Sequence, residues 1–149
     1  MSVSSTVSKR VKASPADVWA VLADGWLYAT WVVGASRIRS VDETWPAEGS
    51  SIHHSVGSWP FLFNDKTIAT KSEPEKELEM RARAWPGGEA LVRVSIEPEG
   101  EGSIITMTED ASAGPMLMVP QPVRKQTFDW RNTESLLRLG FLVENKARS

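Results

Sequence analysis

The sequence predicts an α+β domain: an antiparallel sheet of about seven strands folded around one long C-terminal helix, with two short helices after the first strand. Three observations carry this. Between about Ser36 and Asp110 the apolar residues recur with period two, cut by turn chemistry at hairpin spacing. From Pro120 to Lys146 no proline follows Pro122 and the single interior glycine is Gly140, so one helix runs through. That helix is apolar on two sides. Val123, Trp130, Leu137 and Phe141 mark one stripe; Phe128, Leu136, Leu139, Leu142 and Val143 form a broader arc opposite, interrupted by Asn132 and Ser135. A helix of this kind is not a simple surface helix, and the strands before it must grip it.

Taken in order, Val3, Val7 and Val11 alternate with small or polar residues and read as a strand with one buried face. Ser14 is an N-cap, Pro15 sits at the first helical position and Asp17 stands where a capping-box acid belongs, so a helix starts here and stops near Asp24-Gly25. The aromatic run Trp26-Leu27-Tyr28-Ala29-Thr30-Trp31, bounded by Gly25 and Gly34, makes a second, brief helix. Six strands follow: Ser36–Glu43, Ser50–Gly57, Asn64–Ser72, Lys76–Ala84, Glu89–Glu97 and Ser103–Glu109. Trp45-Pro46, Ser58-Trp59-Pro60, Glu73-Pro74, Trp85-Pro86-Gly87-Gly88 and Glu99-Gly100-Glu101-Gly102 separate them, which makes an antiparallel meander.

Parity then orients side chains. Pairing about Gly87 sets Met80 opposite Val94 and Leu78 opposite Ile96, so both strands bury one face. Pairing about Pro60 sets Ile52 opposite Ile68, which sends His54 and Val56 inward and His53 outward. Ile105 and Met107 turn Glu109 inward, although Ile104 conflicts with that assignment.

At 149 residues the chain fits a single domain able to bury a core without covalent staples. It has no cysteine, which excludes disulfides, thiolate catalysis and cysteine-ligated zinc. A formal net charge of −2 with interspersed signs argues against nucleic acid as a partner. No stretch approaches the roughly 18 apolar residues of a membrane span. The N-terminal residues lack a basic region followed by an apolar run, so the expected location is cytoplasmic. Seven tryptophans against one tyrosine and four phenylalanines suggest a roomy, aromatic-lined interior, with core packing as the plainer account of several.

The layout resembles the helix-grip fold of the START, birch-pollen-allergen and polyketide cyclase (SRPBCC) superfamily, most of all its actinobacterial polyketide cyclase/dehydrase-like branch. The stretches that carry the likeness are Ser14-Pro15-Ala16-Asp17-Val18-Trp19, Asp24-Gly25-Trp26, Trp31-Val32-Val33-Gly34, His53-His54-Ser55-Val56-Gly57-Ser58-Trp59-Pro60, Glu109-Asp110 with Gly114-Pro115, and Trp130-Arg131-Asn132-Thr133-Glu134-Ser135-Leu136. The resemblance covers essentially the whole chain. It implies a ligand cavity between long helix and sheet, with its mouth near the short helices and strand-connecting loops, and it names no catalytic motif.

Adjacent strand residues point to opposite faces, so His53 and His54 do not share a metal ion, and the chain has no further histidine; no metal is expected. An inward His54 suits general acid–base work, or is a core histidine satisfied by a carbonyl. Glu109 either binds a substrate hydroxyl or takes a proton, or else pairs with Arg131 or caps a loop. Asn132 either orients a ligand or ties down a nearby loop, while Glu134 reads as a surface partner of Arg131 or Arg138. The apolar segment Gly114–Pro120 is a flap over the mouth or packing at the foot of the helix. No Gly-x-Ser-x-Gly, phosphate loop or dinucleotide fingerprint occurs, and no cofactor is expected.

The sequence-level expectation is a carrier or sensor of an apolar or aromatic small molecule, lipid- or polyketide-like. Its expected lining is Trp26, Tyr28, Trp31, His54, Trp59, Phe63, Met80, Met107, Phe128 and Asn132. The alternative is a cyclase or dehydratase in which His54 acts as acid/base, Glu109 is its partner, and Asn132 or Tyr28 orients a carbonyl. A third reading is an interaction module with a filled core. The Trp130–Leu137–Phe141 stripe is expected either to close a two-fold homodimer or to be covered by the Trp26–Thr30 segment or the Met116–Val119 loop.

Overall fold

Strand β1 (Ser5–Val11) opens the chain in a computed structural model that describes residues 5–58, 60–84 and 88–148. Helix α1 (Pro15–Leu22) follows because Ser14 caps it: the Ser14 hydroxyl oxygen accepts from the Asp17 amide at 3.2 Å, satisfying one free N–H of the first turn. A 3₁₀ turn (Gly25–Leu27), capped by Asp24, runs directly into the short helix α2 (Tyr28–Trp31). Six strands come next: β2 (Ala35–Val41), β3 (Ser51–Ser58), β4 (Phe61–Glu73), β5 (Glu77–Ala84), β6 (Gly88–Glu99) and β7 (Gly102–Ala113). A second 3₁₀ turn (Pro115–Met118) leads to helix α3 (Gln121–Ala147), with Pro122 in its first turn, where its missing N–H costs nothing.

All seven strands join one antiparallel sheet in the order β1-β7-β6-β5-β4-β3-β2. The meander from β2 to β7 uses only neighbouring pairings, and β1 closes onto β7, with Val7 opposite Met107. This is the helix-grip arrangement, with α3 lying in the concave face. Phe128, Leu136, Leu139 and Val143 are buried there, against a core that includes Val18, Val21, Ile52, Leu78, Val94 and Ile105. At Gly140 the helix meets side chains of β1: a Cβ there would lie 2.6 Å from Cε of Lys9 and 3.5 Å from Cγ1 of Val11.

Two registers differ from the sequence expectation. Met80 faces Val92 and Leu78 faces Val94, two residues from the predicted partners Val94 and Ile96. A shift of two preserves parity, so Leu78, Met80 and Val94 all remain buried. Between β3 and β4 the shift is one: Ile52 faces Thr67, and Ile68 faces Ser51. Odd shifts exchange faces, so Thr67 and Ala69 are buried on β4 while Ile68 is half-buried. The chain accepts a buried threonine because its hydroxyl finds two partners, described below. His54 and Glu109 are each 2 % exposed, so both point inward, and Ile104 alternates away as a half-buried residue.

Among the described tryptophans, Trp31 is the one that borders the cavity described below. Trp26 and Trp130 are exposed, Trp45 is buried with its indole N–H on the Leu22 carbonyl at 3.2 Å, and Trp19 packs against the core. Trp59 and Trp85 lie outside the described residues. The second apolar stripe of α3 is bare: Trp130 is 71 % and Phe141 64 % exposed, so neither the Trp26–Thr30 segment nor the Met116–Val119 loop covers it.

Candidate functional site: a cavity between helix α3 and the sheet

A cavity of about 360 Å³ lies between α3 and the sheet and opens to solvent. Strand alternation builds its wall. His54 of β3, Phe63 of β4, Met80 and Ala82 of β5, Val92 of β6, and Met107 and Glu109 of β7 all face it. Helix α3 contributes Phe128, Arg131, Asn132 and Ser135, a spacing of three and four residues that keeps them on one side. Tyr28 and Trp31 of α2 line it too, followed by residues Val32 to Ala35. Gly34 and Arg83 are the exposed members of the lining, which puts the opening beside the α2–β2 link and the end of β5. Met116 also reaches in, whereas Met118, in the same 3₁₀ turn, is 87 % exposed.

Trp26 does not belong to this lining. It stands in the first 3₁₀ turn, before α2, and is 59 % exposed, whereas Tyr28 and Trp31 of α2 are buried. Of the other expected residues, Tyr28, Trp31, His54, Phe63, Met80, Met107, Phe128 and Asn132 border the cavity, as does Glu109, and Trp59 lies outside the described residues.

Polar side chains interrupt the apolar wall, Arg83 paired with Glu89 at 3.4 Å among them, and two further groups are buried. In the first, Thr67 Oγ1 stands 2.8 Å from His54 Nε2 and 2.9 Å from the Tyr28 hydroxyl. The Tyr28 ring stacks on the imidazole at 5.4 Å and meets Trp31 edge-on at 5.8 Å. Burial pushes the His54 pKa down to about 4; nearby Asp65 opposes this, while Arg39 and His53 add to it. Burial likewise pushes Tyr28 up to about 12, partly offset by its bond to Thr67. At neutral pH the cluster is therefore an uncharged imidazole and an uncharged phenol joined through one threonine. In the second group, Arg131 donates to Oε2 of Glu109, and its guanidinium lies 4.9 Å over the Phe128 ring. Asn132 is turned towards β1, its amide donating to Ser5 Oγ at 3.5 Å, and Ser5 in turn donates to Asp129 at 2.7 Å. Ser135 accepts from the Val33 amide at 3.1 Å, which ties the mouth segment to α3.

Thr67 escaped sequence reasoning because Ile68 beside it is the more apolar inward candidate. The small buried pair Thr67 and Ala69, alternating with Ile68, was the available signal. His53 points away from His54 and pairs with Asp42 at 3.3 Å. Among the described residues, no group of three or more histidines and carboxylates has a metal-holding arrangement. No described helix is long and apolar enough to cross a membrane.

Seven antiparallel strands around a long terminal helix, with a cavity between them, define the helix-grip class also called Bet v1-like. The chain belongs to the family described as polyketide cyclase/dehydrase and lipid transport, whose model matches residues 2–138. Among solved structures, protein NE0264 from Nitrosomonas europaea superposes with a TM-score of 0.71 at 15 % identity, over 97 % of this chain and 96 % of that one. The di-domain ARO/CYC StfQ from the steffimycin biosynthetic pathway also gives 0.71, at 11 % identity, over 97 % of this chain; the chain spans 51 % of StfQ. Ara h 8.0201 gives 0.68 at 11 % identity, over 96 % of this chain and 95 % of that one. At these identities the likeness is one of fold. No curated protein sequence matches.

Proposed function

We propose that the protein binds an apolar or aromatic small molecule, lipid- or polyketide-like, in the cavity between α3 and the sheet, as a carrier or sensor. The observation that carries this is the cavity itself: about 360 Å³, open to solvent, and walled mainly by Phe63, Met80, Val92, Met107 and Phe128 with few polar groups. Such a volume falls within the range of small-molecule sites, and sparse polar groups orient a ligand inside apolar walls. The family description, which includes lipid transport, agrees with this reading.

A cyclisation or dehydration on the same ligand is the second reading. It is favoured by the family description and by His54 and Glu109 bordering one cavity. Against it, a histidine held down to about 4 is a weak base near neutrality, far from the matched value that general acid–base catalysis favours.

Native mass spectrometry of protein purified from its own source tests the binding reading directly: a retained apolar molecule is the expected result. In titrations with apolar aromatic compounds, Trp31 emission is expected to be quenched. Trp31→Phe should remove most of the response, and Trp26→Phe should leave it intact. No retained molecule, together with no response to any apolar compound, would sink the reading.

A further inference from the structure

A second recess, of about 320 Å³, lies on the face of the sheet turned away from α3. Its walls are Arg39, His53, Asn64, Asp65, Lys66 and Arg83, with no apolar side chain among them. Three cationic side chains therefore meet one carboxylate, on a chain whose formal net charge is −2. Residue 65 sets their spacing. Arg39 reaches across β3 and donates Nη2 to the Asp65 carbonyl at 2.9 Å. Arg83 Nε lies 3.5 Å from Asp65 Oδ1, and Lys66 is the next residue in the chain. His53 stands directly opposite Lys66 in the β3–β4 ladder.

The cations of this outer face fall into two sets. Further along β4 to β6 they are matched by carboxylates: Lys71 with Glu77 at 2.9 Å, Arg93 with Glu77 at 2.8 Å and Glu79 at 2.9 Å, Arg81 with Glu89 at 3.9 Å. Arg39 and Lys66 have no carboxylate within 4 Å among the described residues. Backbone holds Arg39 instead, since Nε and Nη2 also donate to the His54 carbonyl, each at 3.3 Å. A guanidinium carries five N–H groups, and these bonds use those on Nε and Nη2 and leave both on Nη1. Carbonyls fix the group without cancelling its charge. Asn64 Oδ1 accepts from the Ser55 hydroxyl at 3.0 Å, which leaves its two amide hydrogens free. The opposing carboxylate is turned to other work: Asp65 Oδ1 accepts from the Lys66 amide at 2.9 Å and faces Arg83, and its side chain is 8 % exposed. What the recess offers is donors and positive charge.

We propose that this recess binds the phosphate of a small, soluble phosphate monoester, with Arg39 Nη1, Lys66 Nζ and Asn64 Nδ2 donating to its oxygens. A planar guanidinium fork beside an ammonium suits a group that presents several charged acceptors. Among the described residues, the exposed large apolar side chains lie on α3 and the two 3₁₀ turns, and none borders the recess. The source of the phosphate is therefore a soluble ester and not a lipid headgroup.

Methyl phosphate is the probe, because it is too small and too polar to report on the apolar cavity. Titrated into the full chain at physiological salt, it should give saturable NMR shifts at the backbone amides of His53, Asn64 and Lys66. Arg39→Gln and Lys66→Gln should each weaken binding about tenfold or more, the worth of a charged hydrogen bond. Lys76→Gln removes the same charge from the β4–β5 turn and should change nothing. Asn64→Asp keeps the acceptor for Ser55 but puts a carboxylate in the recess, and should abolish binding. Methyl sulfate, with one charge fewer, should bind more weakly. Equal losses in Arg39→Gln, Lys66→Gln and Lys76→Gln would mean general attraction to positive charge and overturn the proposal. So would the absence of saturable shifts in the wild type, which decides the matter even where a variant does not fold. Sedimentation with phosphatidic acid vesicles that depends on Arg39, without binding of methyl phosphate, would assign the recess to a membrane surface and overturn it too. None of these outcomes bears on the apolar cavity.

Discussion

At the scale of single residues, Thr67 governs the polar side of the cavity without touching the cavity space itself. Its hydroxyl serves Tyr28 and His54 at once, and it is fully buried. Thr67→Val keeps the shape and strands both partners, so it is expected to cost about 2 kcal/mol or more in chemical denaturation. A loss under about 0.5 kcal/mol, the usual scatter of neutral substitutions, would show that the bridge contributes nothing. His54 makes a pH prediction. Its folded value lies near 4 against an ordinary 6.5. Above 6.5 the residue is neutral in both states and its burial carries no protonation cost. As pH falls from 6.5 towards 4, the unfolded chain takes up a proton that the folded chain refuses, so stability falls through that window and levels off below it. The whole difference is worth on the order of 3 kcal/mol. The urea midpoint of the wild type should therefore drop more steeply between those pH values than that of His54→Asn. Parallel curves would refute the assignment.

At the scale of elements, α3 has two jobs set by its two stripes. The inner arc fills the sheet's concave face, and the outer row leaves Val123, Trp130, Leu137 and Phe141 in solvent. An exposed apolar row on one helical face is the kind of patch that commonly contacts a partner. The expected occupant is a second copy of the chain. Antiparallel pairing about a two-fold axis near residues 135–136 brings Trp130 against Phe141 of the other copy. It also brings Glu134 against Arg138, a charge match the same helix already makes with itself at 3.2 Å. Light scattering should show a dimer in the micromolar range, and Leu137→Glu should give a monomer with unchanged strand content. A monomeric wild type would end the idea.

At the scale of the whole molecule, the fold keeps a void where most domains of this size would pack side chains. The cavity lies between the sheet and α3, and Ala82 is a small side chain in its lining. Ala82→Phe should fill part of that space. The thermal midpoint should hold or rise, and affinity for apolar probes should fall about tenfold or more, since one added ring both removes room and contributes its own burial. In the unaltered protein, saturating ligand should raise stability by about 2.7 kcal/mol at a hundredfold excess over Kd. Full probe binding by a folded Ala82→Phe protein would place the site elsewhere.

The sequence by itself determined the element order, the inward turn of His54 and Glu109 and the two-sided character of α3. These depend on local signals: a Ser-Pro-x-Asp cap, a period of two, and a period near 3.6. Tertiary structure alone decided the closure of β1 onto β7, the one-residue register of β3 against β4 that buries Thr67 in place of Ile68, and the turn of Trp26 into solvent. Each of these compares contacts between residues far apart in the chain. A strand's own pattern fixes its alternation, but not which neighbour it meets nor, in β4, which face is buried, because sliding by two preserves every face and sliding by one is settled by whether a buried polar group finds partners. Thr67 found two, and with them the chain acquired the polar end of its cavity.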